Sequence, residues 1–140
     1  MPGSVTRDVG GEIAGGLVGG AVAAVLSGGP STTVALATGR SPFEAVRAAG
    51  SLVGSPSLGA GMAVHTALSL AWGVVLAAAL PRRRPALWGA VGGGVIALLD
   101  LGLVGRRYPR VRALPVLPQV ADHVAFGVVV GATLNACRSR

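Results

Sequence analysis

The chain has no lysine, few acids and very little charge for its size. Only 12% of its 140 residues are charged, five are acidic, and all twelve basic residues are arginine. A soluble domain is usually about 25% charged. So little charge cannot cover a globule with polar surface, and the expected solvent is a membrane. The single cysteine, Cys137, excludes an internal disulfide and has no CxxC partner for a metal. It reads as an incidental thiol near a membrane surface. Aromatic residues make up 4% of the chain, and the arginines sit in short clusters between apolar runs. Despite the net charge of +7, that pattern argues against nucleic acid. Charge flanking apolar spans is better read as topology and lipid-headgroup contact.

Other absences narrow the chemistry. There is no GxSxG, no phosphate-loop pattern and no HxxxH pair, so neither a cofactor nor a metal is expected. Alternating segments of roughly ten residues, which a bilayer β-barrel needs, are missing. The N-terminal "MPGSVTRDVGGEIAGG" carries Asp8 and Glu12 where a secretory signal would be basic, so this segment is expected to be retained.

What is present is apolar: 51% hydrophobic residues and a mean hydropathy of +0.67. Four runs are candidate spans, at about 13–29, 58–80, 86–105 and 119–136. The predicted fold class is therefore all-α, an integral membrane four-helix bundle forming a single transmembrane domain over 1–140. The first span is open to extension past a kink at Pro30. Pro109, Pro115 and Pro118 rule out one continuous helix between spans three and four. Between spans one and two, "SPFEAVRAAGSLVG" predicts a short interfacial amphipathic helix near 41–54. Ser41 would be its N-cap, Pro42 its first residue and Glu44 the partner in a capping box, with Phe43, Val46, Gly50 and Val53 on one face.

Glycine is abundant, at 23 residues. Gly15/Gly19, Gly16/Gly20, Ser69/Gly73, Gly89/Gly93 and Gly127/Gly131 are pairs of small residues four apart. In lipid, such pairs let helix backbones approach closely.

The halves resemble each other. "GLVGGAVAAVL" (16–26) and "GAVGGGVIALL" (89–99) agree at seven of eleven positions. Each is followed by Gly-Arg, a proline and Val-Arg-Ala, and then by "HTALSL" (65–70) or "HVAFGV" (123–128). The order predicts a tandem duplication of two-helix units, 13–80 and 86–136. Two spans per unit would give both units the same orientation, related by an axis along the membrane normal.

That geometry places His65, Asp100, Asp122 and His123 at one membrane face. They are the candidate catalytic or relay residues, because ionisable groups inside spans are functional candidates. Arg40, Arg47, Arg106, Arg107, Arg110 and Arg112 fall on the same face and are candidate ligand or headgroup-binding residues. A structural alternative stays open. Asp122 would cap its own helix, Arg106 or Arg107 would pair with Asp100, and the cluster would merely tie loops down. Six arginines flank each side, and the three packed into "PRRRP" (81–85) favour a cytoplasmic location for that side and both termini.

"SGGPST", "GRSPFEAVRAAGSL", "DLGLVGRRYPRVRALP" and "QVADHVAFG" resemble stretches of small, uncharacterised four-helix integral membrane proteins of bacteria, over about residues 12–134. The resemblance implies an integral membrane protein and assigns no role to any residue.

Three functional classes follow. One is a small transport or accessory subunit in the cell membrane, as a homodimer or in a larger membrane complex, with membrane lipids as neighbours. The second is a membrane-embedded enzyme acting on a lipid or anionic headgroup, with a histidine as general base. The third is a purely structural membrane protein.

Overall fold

The computed structural model describes residues 8–139, and every regular element among them is helical. Helix α1 is Val9–Leu26, α2 Gly29–Ala37, α3 Glu44–Gly50, α4 Leu58–Ala79, α5 Pro85–Ala97, α6 Pro109–Arg112 and α7 Val116–Arg138. Four helical stretches are long and apolar enough to cross a membrane: Val9–Ala37, Leu58–Ala79, Pro85–Arg107 and Val116–Arg138. The shortest, of 22 residues, would reach about 33 Å at 1.5 Å per residue, against a hydrocarbon layer of about 30 Å.

The ends of these helices follow local chemistry. Asp8 caps α1 by accepting the Gly11 N–H, and Ser57 caps α4 by accepting that of Ala60. The first stretch carries on through a tight turn at Ser27 and Gly28 into α2, with Pro30 in the first turn of α2, where its missing N–H costs nothing. The fourth begins at Val116, three residues before the expected Gln119. Pro118 lies in its first turn, where N–H groups have no intrahelical partner, so the proline does not end the helix.

Segment 41–54 departs from the predicted capping box. Helix α3 starts at Glu44, after a turn in which Ser41 Oγ accepts the Phe43 N–H at 3.3 Å. The Glu44 carboxylate goes to the Arg40 guanidinium rather than back to the Ser41 backbone. A two-pronged, charge-assisted contact outcompetes a single backbone N–H. A 3-10 turn, Ser51–Val53, follows and ends at Gly54 in the left-handed conformation, φ 76°.

The four long stretches run up, down, up and down. A Cβ at Gly16 or Gly20 would strike the α4 backbone at Gly73 or Ser69, and one at Gly73 would strike Gly16 and Gly20. A Cβ at Gly89, Gly93 or Gly131 would likewise strike Gly127, His123 or Pro85 across the α5–α7 seam. Gly15 and Gly19 admit Leu134 and Val130 of α7 against α1. Every predicted small-residue pair thus lies in a seam within the chain. Leu76, Ile96, Phe126, Val130 and Leu134 fill the centre around Ala23 and Ala77. Large aliphatics point outward instead: Val25 is 81% exposed and Leu117 80%. Glycine seams between helices and many large apolar side chains on the outer surface are the arrangement of helices packed in lipid.

Candidate functional site

One end of the bundle gathers the C-terminal end of α1, α2, the N-terminal ends of α4 and α7, and the segment following α5. That segment, Leu98–Val104, winds as a π-helix, and the Gly105 N–H closes it on the Asp100 carbonyl. Such segments recur at functional sites because they re-aim a side chain. Here Asp100 meets His123, with Oδ2 3.3 Å from Nε2.

The His123 ring is held from its other nitrogen. Nδ1 donates to the Gln119 carbonyl at 2.7 Å, and a carbonyl can only accept. Nδ1 therefore carries hydrogen. For Nε2 to meet Asp100 as a hydrogen bond, a further proton must sit on the imidazole or on the carboxyl group. The side chains of His123 and Asp100 are 21% and 31% exposed, so the pair is shielded but not sealed.

Asp122 turns to a different helix. Its Oδ1 accepts the Ser31 N–H at 2.9 Å, in the first turn of α2. Gly28, the α2 N-cap, offers no side chain for that purpose, so α7 supplies the cap. Asp122 was expected near the start of its own helix, but that helix begins six residues earlier, at Val116. Asp122 also lies within electrostatic reach of His123 and His65. His65 Nε2 donates to the Ala24 carbonyl at 3.0 Å, binding α4 to α1. All four candidate His and Asp residues therefore occupy one end, although only Asp100 and His123 touch.

The arginines divide. Arg40 forms a two-pronged pair with Glu44, at 3.0 and 3.1 Å, and reaches the Ala113 carbonyl at 3.5 Å. Arg47 and Arg110 join Arg40, Ser41, Glu44 and Ala113 around an open cleft of about 360 Å³. Arg106, Arg107 and Arg112 are exposed outside it. Neither Arg106 nor Arg107 pairs with Asp100, whose partner is His123. A narrow second hollow shares Arg40, Ser41 and Glu44 with the cleft and ends at Ser31 and Gln119. The second hollow, rather than the cleft itself, is lined by the two residues that hold Asp122 and His123.

The opposite end has an ionic group of its own. Glu12 lies 3.8 Å from both Arg82 and Arg138, and Arg138 also donates to the Ala77 carbonyl at 3.2 Å. Cys137 is exposed at this end. No group of three or more His, Cys, Asp or Glu suited to a metal ion occurs among the described residues. Arg7 and Arg140, counted in the balance of flanking charge, lie outside them.

The chain matches no family model, no curated protein and no solved structure.

Sequence reasoning missed Ser31, Gln119, Glu12 and Arg138. Gln119 acts through its backbone carbonyl, which carries no residue signature, and Ser31 meets Asp122 through both its backbone N–H and its side chain. Glu12 and Arg138 stand far apart in sequence, with nothing to pair them. The Arg40–Glu44 pair stands only four residues apart, but it bridges the turn that precedes α3 rather than a helical turn.

Proposed function

We propose that this chain is a small multi-pass protein of the cell membrane, a transport or accessory subunit whose working centre is the His/Asp cluster at one end. The observation that carries the reading is the 3.3 Å contact of His123 Nε2 with Asp100 on a π-helical segment, while Nδ1 is tied to Gln119. As a hydrogen bond, that contact needs a proton beyond the one on Nδ1. A one-proton centre facing one surface suits coupling of a membrane process to protons.

Nitrogen spectra of histidine-labelled full-length protein test it, since the chain contains only two imidazoles. The expected result at neutral pH is a protonated Nε2 on His123, or a carboxylic-acid stretch in the infrared that D100N removes. A bare Nε2 together with no acid stretch overturns the proposal.

A second reading, an enzyme acting on a lipid or anionic headgroup, is favoured by the layout of charge. No acid, arginine or histidine lies on the described long helices between the His/Asp end and Glu12 with Arg138. The glycine seams close the middle, and the arginine cleft opens at the His/Asp end. Chemistry confined to one surface needs no path across.

The duplication belongs to the same reading. Each hairpin is closed by a glycine seam, and in each the histidine of the second helix reaches back to the first. The registers differ by one turn: Gly20 faces Ser69, four residues past His65, whereas Gly93 faces His123 itself. Helix α3 with its 3-10 turn fits an interfacial element, exposing Phe43 and Val53 at its two ends. With the small-residue seams filled from within, a second copy or a larger membrane partner would meet the aliphatic outer faces.

A further inference from the structure

We infer that the cleft between α3 and α6 is a binding site for a phosphate-class anion. The inference goes beyond the His/Asp centre and stands whether or not that centre handles protons.

Three arginines and one glutamate line the cleft. Arg40 is occupied. Its two-pronged bond to Glu44 and its reach to Ala113 fix α3 against the segment following α6. Arg40 and Glu44 therefore build the wall and cancel each other's charge. Arg47, on α3, and Arg110, on α6, have no acidic partner among the described residues. Each guanidinium presents five N–H donors in a planar fork. Two such forks facing one hollow repel each other until an anion sits between them. Flanking charge set by topology alone would place arginines on this side, but would not gather two unpaired ones around a hollow with a fixed third.

The donor set selects the ligand class. A tetrahedral phosphate offers paired oxygens to each fork and matches the net charge left by Arg47 and Arg110. Ser41 adds a hydroxyl. Its oxygen accepts from the Phe43 N–H, which leaves its hydrogen free to donate. At about 360 Å³ the cleft exceeds a bare phosphate and falls within the usual range of ligand sites, about 300–1,000 Å³. Phe43, 52% exposed, adjoins Ser41 and offers an apolar flank where lipid chains would lie. Phosphate chemistry is shared by a lipid headgroup and the free ion, and the experiment separates the two.

Full-length protein is purified in uncharged detergent, and its thermal unfolding is followed against inorganic phosphate and, separately, against phosphatidic acid in the micelle. Chloride at matched ionic strength and phosphatidylcholine serve as controls. A ligand bound only by the folded state raises the midpoint saturably. Stabilisation by phosphatidic acid alone identifies a lipid headgroup site, and stabilisation by both probes shows that the phosphate group suffices. In either case R47Q and R110Q each weaken apparent affinity by about tenfold, the double variant by more, and R83Q on the opposite turn leaves it intact. The single variants keep the test informative where the double variant does not fold. No stabilisation by either probe, or a full response in R47Q and R110Q, overturns the inference.

Discussion

The Asp122 carboxylate and the Ser31 backbone N–H are joined at 2.9 Å across 91 positions of sequence, so α7 caps the start of α2. Helix α2 has nine residues, a glycine N-cap and no acid in its first turn. Asp122 supplies both the missing acceptor and the negative charge that the helix dipole favours there. D122A is expected to lower stability in detergent by about 1–2 kcal/mol. The loss should concentrate in α2, read as faster amide exchange at residues 31–35 while α4 and α5 keep their protection. Unchanged exchange in α2 would show that the contact contributes nothing.

The glycine seams allow a sharper comparison, because glycines in the same helix have opposite surroundings. A Cβ at Gly93 would overlap the His123 backbone, whereas at Gly94 it meets nothing within 4 Å. G93A should force α5 and α7 apart and cost about 1–3 kcal/mol or more. G94A should be neutral or stabilising by up to about 1 kcal/mol, from better helix propensity. Gly61 and Gly59 of α4 repeat the contrast against α3. Equal effects of G93A and G94A on unfolding would mean that the close approach of α5 and α7 is wrong.

These residues also show what sequence conveys about the fold and the site. Apolar runs fix where long helices lie, because burying a backbone in hydrocarbon demands a continuous helix. The spacing of Gly16, Gly20, Gly89 and Gly93 marks faces of close approach, but not which partner helix fills them. That His65 and His123 lie in the first half of their helices was legible, since the start of each apolar run is close to the start of its helix. The partner of Asp100 was not. A π-helical segment changes where the side chain points without leaving a residue pattern, and the nearby arginines looked the more obvious counter-charges. Asp122 misled for a similar reason. Pro118 suggested a helix start just before it, whereas first-turn geometry admits that proline and moves Asp122 into the second turn of α7.

Arg138 is the next test. It reaches from the last turn of α7 to the Ala77 carbonyl of α4 and lies 3.8 Å from Glu12 of α1, so one side chain joins three helices. Its side chain is 21% exposed and the carboxylate stands at 3.8 Å, so the backbone bond at 3.2 Å is the firmer contact. R138Q should lower the unfolding midpoint by an amount equivalent to about 1–3 kcal/mol. R83Q, in the neighbouring turn with no partner among the described residues, should lie within about 0.5 kcal/mol of the parent. A midpoint in R138Q matching that of R83Q would remove this junction.

The two ionic ends give the last prediction, on which the membrane reading itself depends. Cys137 is the only cysteine and is exposed beside the Arg82–Arg84 turn, at the end opposite the arginine cleft. In intact cells or sealed vesicles, an impermeant maleimide should therefore reach Cys137 from one side only. In a C137S background, R112C should react from the other side. Arg112 is chosen because it is exposed and lies outside the cleft, so its loss leaves Arg40, Arg47 and Arg110 in place. An even number of crossings separates Cys137 from both the N-terminal end of α1 and the 81–84 turn, which places all three on one side, while a single crossing, α7, separates it from Arg112. Labelling of both positions from the same side would mean that α7 does not span, and the up-and-down arrangement of the four helices in a bilayer would fall with it.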